Sequence, residues 1–320
     1  MRLCAIGVDL DEIPCYAAIH GLDVPSGSEH AIYERAVPRL ASLLRRHAIP
    51  ATFFAIGSDV ERAPVAEALR ALRDAGHEIA SHCHTHAYDL TRRGRAFVRD
   101  DVARSLDAIE RAVGTRPRGF RAPGYTITDE VFEVLRELGL TYDSSVFPCP
   151  AYWAPKAAVI GALSAAAALG LGRASRSIVD DPRVLGAPAD PYHPARPGDG
   201  GHYWSRGPKE GLVELPIGVT RGARLPFIGT SVALAGPRGA RVLARQMVGR
   251  PVIVFELHGI DLADAREDGL GWLVSRQPDL RRTAAEKDAA IAEAIETLRA
   301  NGYRFVTTEE AAAAVLAADA

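Results

Sequence analysis

Cysteine is scarce in this chain. Cys4, Cys15, Cys83 and Cys149 are scattered over 320 residues with no C-x-x-C pair. That spacing argues against a disulfide framework or a zinc ribbon; reduced thiols and a cytoplasmic setting are expected. An excess of one charge sign is missing too. The formal net charge is −2, and acids balance an arginine content that far exceeds lysine. A nucleic-acid partner is therefore not expected, since it would call for clustered basic charge. No G-x-G-x-x-G or Walker pattern marks an open nucleotide-binding sheet. The longest uncharged apolar run, residues 157–172, is shorter than the ~20 residues that span a bilayer. The opening "MRLCAIGVDLDE" lacks the apolar core and cleavage site of a signal peptide and reads as a buried first strand.

What is present is alternation. "LCAIGVDL", "ATFFAIG", "HEIASH", "RGFRAPG" and "TYDSS" have strand character. Between them lie segments of helical periodicity, such as "APVAEALRALRDAG", with Gly76 as its stop, and "RAFVRDDVARSLDAIERAVG". Pro38 interrupts "AIYERAVPRLASLLRRHAI" and predicts a helix start or kink there. After residues 150–212 break the rhythm, it resumes with "GLVELPIGV", "PVIVFELHG", the helix "TAAEKDAAIAEAIETLRANG" and a last helix capped at Thr307 or Thr308. The pattern predicts an α/β fold with a parallel sheet and outer helices. Its length favours one closed barrel domain over 1–320 with an insertion at about 150–212.

Polar residues cluster where strands end, the rim on which parallel barrels build active sites. "GVDLDE" offers Asp9, Asp11 and Glu12; "GHEIASHCHTH" offers His82, His84 and His86; "FRAPGY" offers Arg121; "FELHG" offers Glu256 and His258. His82 and His86, four residues apart, suit one face of a turn. With a carboxylate they make a zinc-type His₂Asp set that leaves a position open for water. Asp11 is the best third ligand. Asp9, on the same strand face, stays free as a base, and His258 serves as the acid. Arg121 would hold Asp9 ionised. His84 points off the 82/86 face and is given a structural role, and Cys83 a packing role.

So assembled, the sequence resembles the polysaccharide deacetylase (NodB-homology) family, carbohydrate esterase family 4. "ATFFAIG", "GHEIASHCHTH", "RAPGY", "TYDSS" and "ELHG" occur in the family's order. The resemblance implies a distorted (β/α) barrel and metal-dependent hydrolysis of a C–N amide bond, usually removal of acetyl from an amino sugar. It implies Asp9 as base, Asp11, His82 and His86 as ligands, Arg121 as orienting residue, His258 as acid and the Gly124 N–H as oxyanion donor. Three departures stand out. The acids are spaced in D-L-D-E, where the usual motif has them adjacent. R-A-P-G-Y replaces R-x-P-Y-G, moving Tyr125 by one. No D-x-x-D-W element is present to tune the acid histidine; Glu214 and Arg221 are the candidates for its place. The spaced acids look like a branch containing atypical peptidoglycan deacetylases, ureide and cyclic-imide hydrolases, and a deformylase of lipid-linked aminoarabinose.

The expected activity is N-deacetylation of an amino-sugar glycan, lipid-linked glycans included. The alternatives are ring opening of a ureide or imide and an inactive glycan-binding module. Zinc is the expected metal, with iron, cobalt and manganese as substitutes that a His₂Asp set also accepts. Glu12, Gly124, Tyr125, Glu214 and Trp204 are candidate substrate contacts, with Tyr203 and Arg206 beside Trp204. Residues 157–172 are read as a buried helix, or alternatively as an interfacial segment touching a membrane.

Overall fold

The computed structural model describes residues 2–171, 173–209 and 211–319. Among these described residues there are eight strands: β1 (Leu3–Asp9), β2 (Thr52–Ala55), β3 (Glu78–Ser81), β4 (Gly119–Phe120), β5 (Tyr142–Asp143), β6 (Val213–Glu214), β7 (Val252–His258) and β8 (Arg304–Val306). Nine α-helices accompany them: α1 (Ile13–His20), α2 (Val37–Arg46), α3 (Ala63–Asp74), α4 (Arg95–Val113), α5 (Asp129–Glu137), α6 (Pro150–Ala168), α7 (Gly229–Met247), α8 (Ala284–Ala300) and α9 (Thr308–Asp319). The strands form one sheet in the order β6-β5-β4-β3-β2-β1-β7, with β8 also pairing β1, and every pairing is parallel. Single bridges, Ile217 with Val254 and Ile228 with Glu256, span the gap between the segment after β6 and β7. The sheet is thus a curled, distorted (β/α) barrel, as the alternation predicts.

β1 is buried along its whole length, as a central parallel strand covered on both faces must be. Its register sets the rim. Asp9 pairs with His258 on β7 and with Phe54 on β2, and Ser81 on β3 pairs with Phe120 on β4. All the polar motifs therefore converge at the carboxyl ends of neighbouring strands.

Pro38 lies in the first turn of α2, where its missing N–H costs nothing; a π-helical segment, Ile32–Ala36, precedes it. Thr307 caps α9, accepting from the Glu310 N–H while the Glu310 carboxylate accepts from the Thr307 N–H. Two helices carry no clear sequence signal. α1 follows directly on the acids, and α7 contains Gly236-Pro237, with Gly236 at φ 64° and ψ 178°.

The reading of residues 157–172 as a buried helix needs correction. The helix exists as part of α6, but none of its residues is buried. Tyr152, Trp153 and Lys156 near its start rest on the body, while Val159, Leu169 and Leu171 are exposed. Gly172 lies outside the described residues. Among those described, no helix is long and apolar enough to cross a membrane.

Gly7 in the middle of β1 makes room for the core of the rim. A β-carbon there would lie 2.9 and 3.0 Å from the two terminal nitrogens of Arg121 and 3.0 Å from the Phe54 ring. Gly7→Ala should therefore destabilise the protein by about 1–3 kcal/mol through overpacking. Urea unfolding reads this directly; an unchanged midpoint would show that Arg121 can yield.

Candidate active site

Three side chains meet at the rim with their ligand atoms together. Asp11 Oδ1 lies 3.2 Å from His82 Nε2 and 3.1 Å from His86 Nε2. Asp11, His82 and His86 are all buried and form a set able to hold a metal ion. Asp11 Oδ1 and His86 Nε2 lack a well-aligned hydrogen bond of their own. Buried polar atoms are seldom left so, and a cation would satisfy them. The tautomer of His82 is fixed from behind. Its Nδ1 is 2.8 Å from the Arg121 carbonyl, which can only accept, so Nδ1 carries the proton and Nε2 presents a lone pair.

Beside this set lies a second one, Asp9, Glu256 and His258. One oxygen of each carboxylate already faces a cationic or imidazole partner, while Asp9 Oδ2 and Glu256 Oε2 have no hydrogen bond. Arg121, fully buried, donates from Nη1 to Asp9 Oδ1 at 2.7 Å, from Nε to the Ser144 carbonyl at 2.7 Å and from Nη2 to Ser144 Oγ at 2.9 Å. Its guanidinium also sits 4.1 Å from the centre of the Phe54 ring. His258 Nδ1 is 2.8 Å from Glu256 Oε1, while its Nε2 faces Tyr125 Oη at 3.3 Å. With a guanidinium already on Asp9, a second cation is disfavoured here. This set is suited to moving protons.

Residues 26–142 match the family model described as polysaccharide deacetylase. Over that segment the chain resembles the polysaccharide deacetylase family. A peptidoglycan deacetylase of Helicobacter pylori is 29% identical over 147 residues, which is 45% of this chain and 49% of that one. A chitooligosaccharide deacetylase of a Bradyrhizobium species is 38% identical over 104 residues, 32% of this chain and 46% of that one. The chain thus spans about half the length of the curated relatives it matches. A solved Mycobacterium smegmatis protein, described as a polysaccharide deacetylase, shares the fold at TM-score 0.59 and 19% identity, covering 99% of this chain and 91% of that one. The fold is also shared, at TM-score 0.50 and 14% identity, with a family 4 pseudoenzyme of Bacillus anthracis, covering 97% of this chain and 65% of that one.

The departures from the family's usual pattern have structural counterparts. The carboxylate that lies against the His258 imidazole is Glu256, two residues earlier on the same face of β7. Glu214 and Arg221 do not fill that place. Glu214 is buried against Asp143 and accepts from the Val146 N–H at 3.0 Å, and Arg221 donates to the Val248 carbonyl. Sequence reasoning named Glu256 without a role. Its signal was the alternation E-L-H, which points residues 256 and 258 the same way from a strand.

The shifted tyrosine also finds a use. Gly124 and Tyr125 both have left-handed backbones, φ 62° and 60°, and this turn carries the Tyr125 hydroxyl to His258. Lys156 of α6 donates to the Gly124 carbonyl at 2.8 Å, so the insertion helps to hold the turn.

Other expected substrate contacts lie elsewhere. Glu12 accepts from the Ile32 N–H at 3.2 Å, and its other oxygen faces Arg62 and His30. Trp204 stacks on His202 at 4.4 Å and lies under the Arg183 guanidinium, also 4.4 Å from its ring centre. Tyr203 is buried, and Arg206 donates to the Pro191 carbonyl. His84 turns out of the clamp, its Nε2 3.0 Å from Arg104 Nη2; burial, then Arg104, lowers its pKa, so it faces the guanidinium as a neutral acceptor.

A cleft of about 820 Å³ opens beside the clamp, lined by His86, Tyr88, Cys15, Arg93 and Arg176 among others. Charge around the rim is partitioned. Burial would raise the Asp11 pKa, but His86 and His82 outweigh it and hold the carboxyl well below its usual range. Burial would likewise lower the histidines; the carboxylates outweigh it, raising His82 and pushing His86 up to about 10. Protons and a cation therefore compete for the same nitrogens. For His258, burial is overcome chiefly by Glu256, then by Asp9 and Asp11, and its pKa is raised well above the usual imidazole value.

A raised pKa keeps His258 protonated to higher pH, so an acid role would be lost only as pH rises through that value. Glu256→Gln removes the main cause. The alkaline limb of the kcat/KM profile should move down by about one unit or more. An unmoved limb would assign that limb to another group.

Proposed function

We propose that this protein is a metal-dependent amide hydrolase that removes an acyl group, most simply acetyl, from an amino-sugar glycan. The observation that carries the reading is the side-by-side arrangement of two sets on one rim. One set, Asp11, His82 and His86, suits a divalent cation. The other, Asp9 and His258, suits proton transfer, each member held by its own partner. The nitrogen and oxygen donors fit zinc, and also iron, cobalt or manganese.

A bound metal would supply Lewis acidity, polarising the amide carbonyl and lowering the pKa of water. The chain's own residues supply the rest. Asp9, oriented by Arg121, accepts the proton of the attacking water. The Gly124 N–H is the proposed donor to the developing oxyanion. His258, charged through Glu256, delivers the Nε2 proton to the leaving amine, with Tyr125 within reach of that nitrogen. Such positioned acids and bases contribute about 10²–10⁴-fold each.

Asp9→Asn and His258→Ala should each lower deacetylation by about 10²–10⁴-fold while Zn²⁺ stays bound at one per chain. Full activity in both variants would sink the assignment. The substrate class is read from a panel of N-acetylated sugar oligomers against cyclic ureides and imides. Turnover of the cyclic amides alone would favour ring opening, and turnover of none would place the chain beside its pseudoenzyme neighbour.

The exposed apolar residues just beyond α6, Leu169 and Leu171, support a lipid-linked glycan and peripheral contact with a membrane. Arg173 and Arg176 follow them directly in the chain and suit anionic headgroups. The protein should co-sediment with vesicles containing phosphatidylglycerol, and Leu169→Glu with Leu171→Glu should abolish this. Protein that remains in the supernatant would remove the membrane from the proposal.

A further inference from the structure

The loop that carries both histidine ligands is strained. Cys83 has φ 67° and His86 has φ 50°, left-handed conformations that residues with a β-carbon adopt at a cost. Within five residues, 82–86, the backbone turns twice this way, and only a surrounding structure that over-determines it would keep it so.

Two groups hold it. On one side, the Gly57 and Ser58 N–H groups donate to the Cys83 and His84 carbonyls, each at 2.9 Å. Gly57 fits closely here, since a β-carbon would lie 2.7 Å from His84 Nδ1. On the other side stands Asp101 of α4. Its Oδ2 accepts from the His84 N–H at 2.9 Å, and its Oδ1 accepts from the Thr85 N–H at 3.2 Å and the Thr85 hydroxyl at 2.7 Å.

Asp101 is only 2% exposed, and among the described residues it forms no ion pair with Arg or Lys. Arg104, one turn along α4, is directed to His84 Nε2 and lies 3.9 Å from Asp100. A buried carboxylate without a cation is costly unless donors surround it. Here the donors, the His84 N–H and the Thr85 N–H and hydroxyl, all belong to the ligand loop. A helix with no task at this point would hold an apolar residue, as it does at Val98 and Val102.

We propose that Asp101 is the positioning residue of the metal clamp: its carboxylate fixes the 82–86 loop in the turn that aims His82 and His86 at Asp11. This rests on the metal-site reading above. Asp101 touches neither substrate nor cation. It acts through Thr85 and the backbone of His84, and it gives the strained loop one geometry in place of several. Supporting contacts of this kind typically set metal affinity by about 10–100-fold.

The test is metal binding, read without turnover. In wild type and in Asp101→Asn, the Zn²⁺ dissociation constant is measured by chelator competition, and Co²⁺ is added to record the visible spectrum of its coordination. The amide of Asn presents a donor where the loop also presents donors. Asp101→Asn should therefore weaken Zn²⁺ by about 10–100-fold and alter the Co²⁺ spectrum, while circular dichroism shows a folded chain. Thr85→Val removes only the hydroxyl bond and should weaken Zn²⁺ by a smaller factor in the same direction; it decides the matter if Asp101→Asn does not fold. Wild-type affinity and an unchanged spectrum in a folded Asp101→Asn, or wild-type affinity in Thr85→Val where only that variant folds, would overturn this inference alone. Wild-type protein that binds neither ion would overturn the metal-site reading and this inference together.

Discussion

The rim is organised around one buried guanidinium. Arg121 has no exposure to solvent, and its charge is balanced by Asp9, the Ser144 carbonyl and hydroxyl, and the face of Phe54. Ser144 in turn donates to the Leu215 carbonyl, tying the rim to the segment after β6. The same residue acts a second time through its backbone, because the Arg121 carbonyl fixes the protonated nitrogen of His82. One position thus sets both the orientation of Asp9 and the tautomer of a candidate ligand. Breaking a buried pair by removing one partner typically costs 3–5 kcal/mol, since it strands the other charge. That is why β1 keeps a glycine at residue 7 and why Ser144 and Ser145 follow β5. Ser145 Oγ accepts from the Ala122 N–H and donates to Asp143, steadying the turn that leads to Gly124 and Tyr125.

How much of this was legible in the sequence depends on whether a feature is periodic or three-dimensional. The strands and most helices followed from period, and the convergence of Asp9, Asp11, His82, His86, Arg121 and His258 followed from their places at strand ends. α7 did not, because Gly236-Pro237 divides it: Gly236 leaves helical geometry and two shorter helical stretches meet there at a kink. The fate of 157–172 was misjudged because an alanine-rich apolar run lacks the amphipathic stripe that would say which side is covered. Glu12, Glu214 and Trp204 looked like substrate contacts because polar and aromatic residues near a motif invite that reading. The structure commits them to Ile32, to Asp143 and Val146, and to His202 and Arg183. Asp101 was invisible for the opposite reason. It lies mid-helix, fifteen or more residues beyond the loop it serves, and no spacing rule links a helix carboxylate to a distant strand-end turn.

The insertion is more than an appendage. Through Tyr152, whose ring packs against Tyr125 and Phe147, and through Lys156 on the Gly124 carbonyl, α6 braces the turn nearest His258. Burial lowers the Lys156 pKa to about 8, with Asp180 opposing. Its hydrogen bond to a carbonyl places a donor, not a competing acceptor, against this turn. The same helix that leaves its far end uncovered is therefore anchored at its near end to the proton-transfer side of the rim.

The rim's histidines share one side-chain chemistry and have separate fates, and what divides them is the partner on the nitrogen that does not face the site. His82 has a neutral carbonyl behind it, which requires a proton on Nδ1, so Nε2 is the nitrogen turned to Asp11, where a proton or a cation can sit. His258 has the Glu256 carboxylate behind it, which favours the imidazolium and so leaves a proton on Nε2. His84 has a guanidinium beside it, which disfavours any charge and removes it from both tasks. Ligand, acid and bystander thus follow from an amide oxygen, a carboxylate and a cation placed on adjacent elements. Spacing set His84 off the face shared by His82 and His86 but did not say what each ring nitrogen would carry. The distinction lies in groups that β4, β7 and α4 bring up behind the rim, and it is made by electrostatics, not by position in the motif.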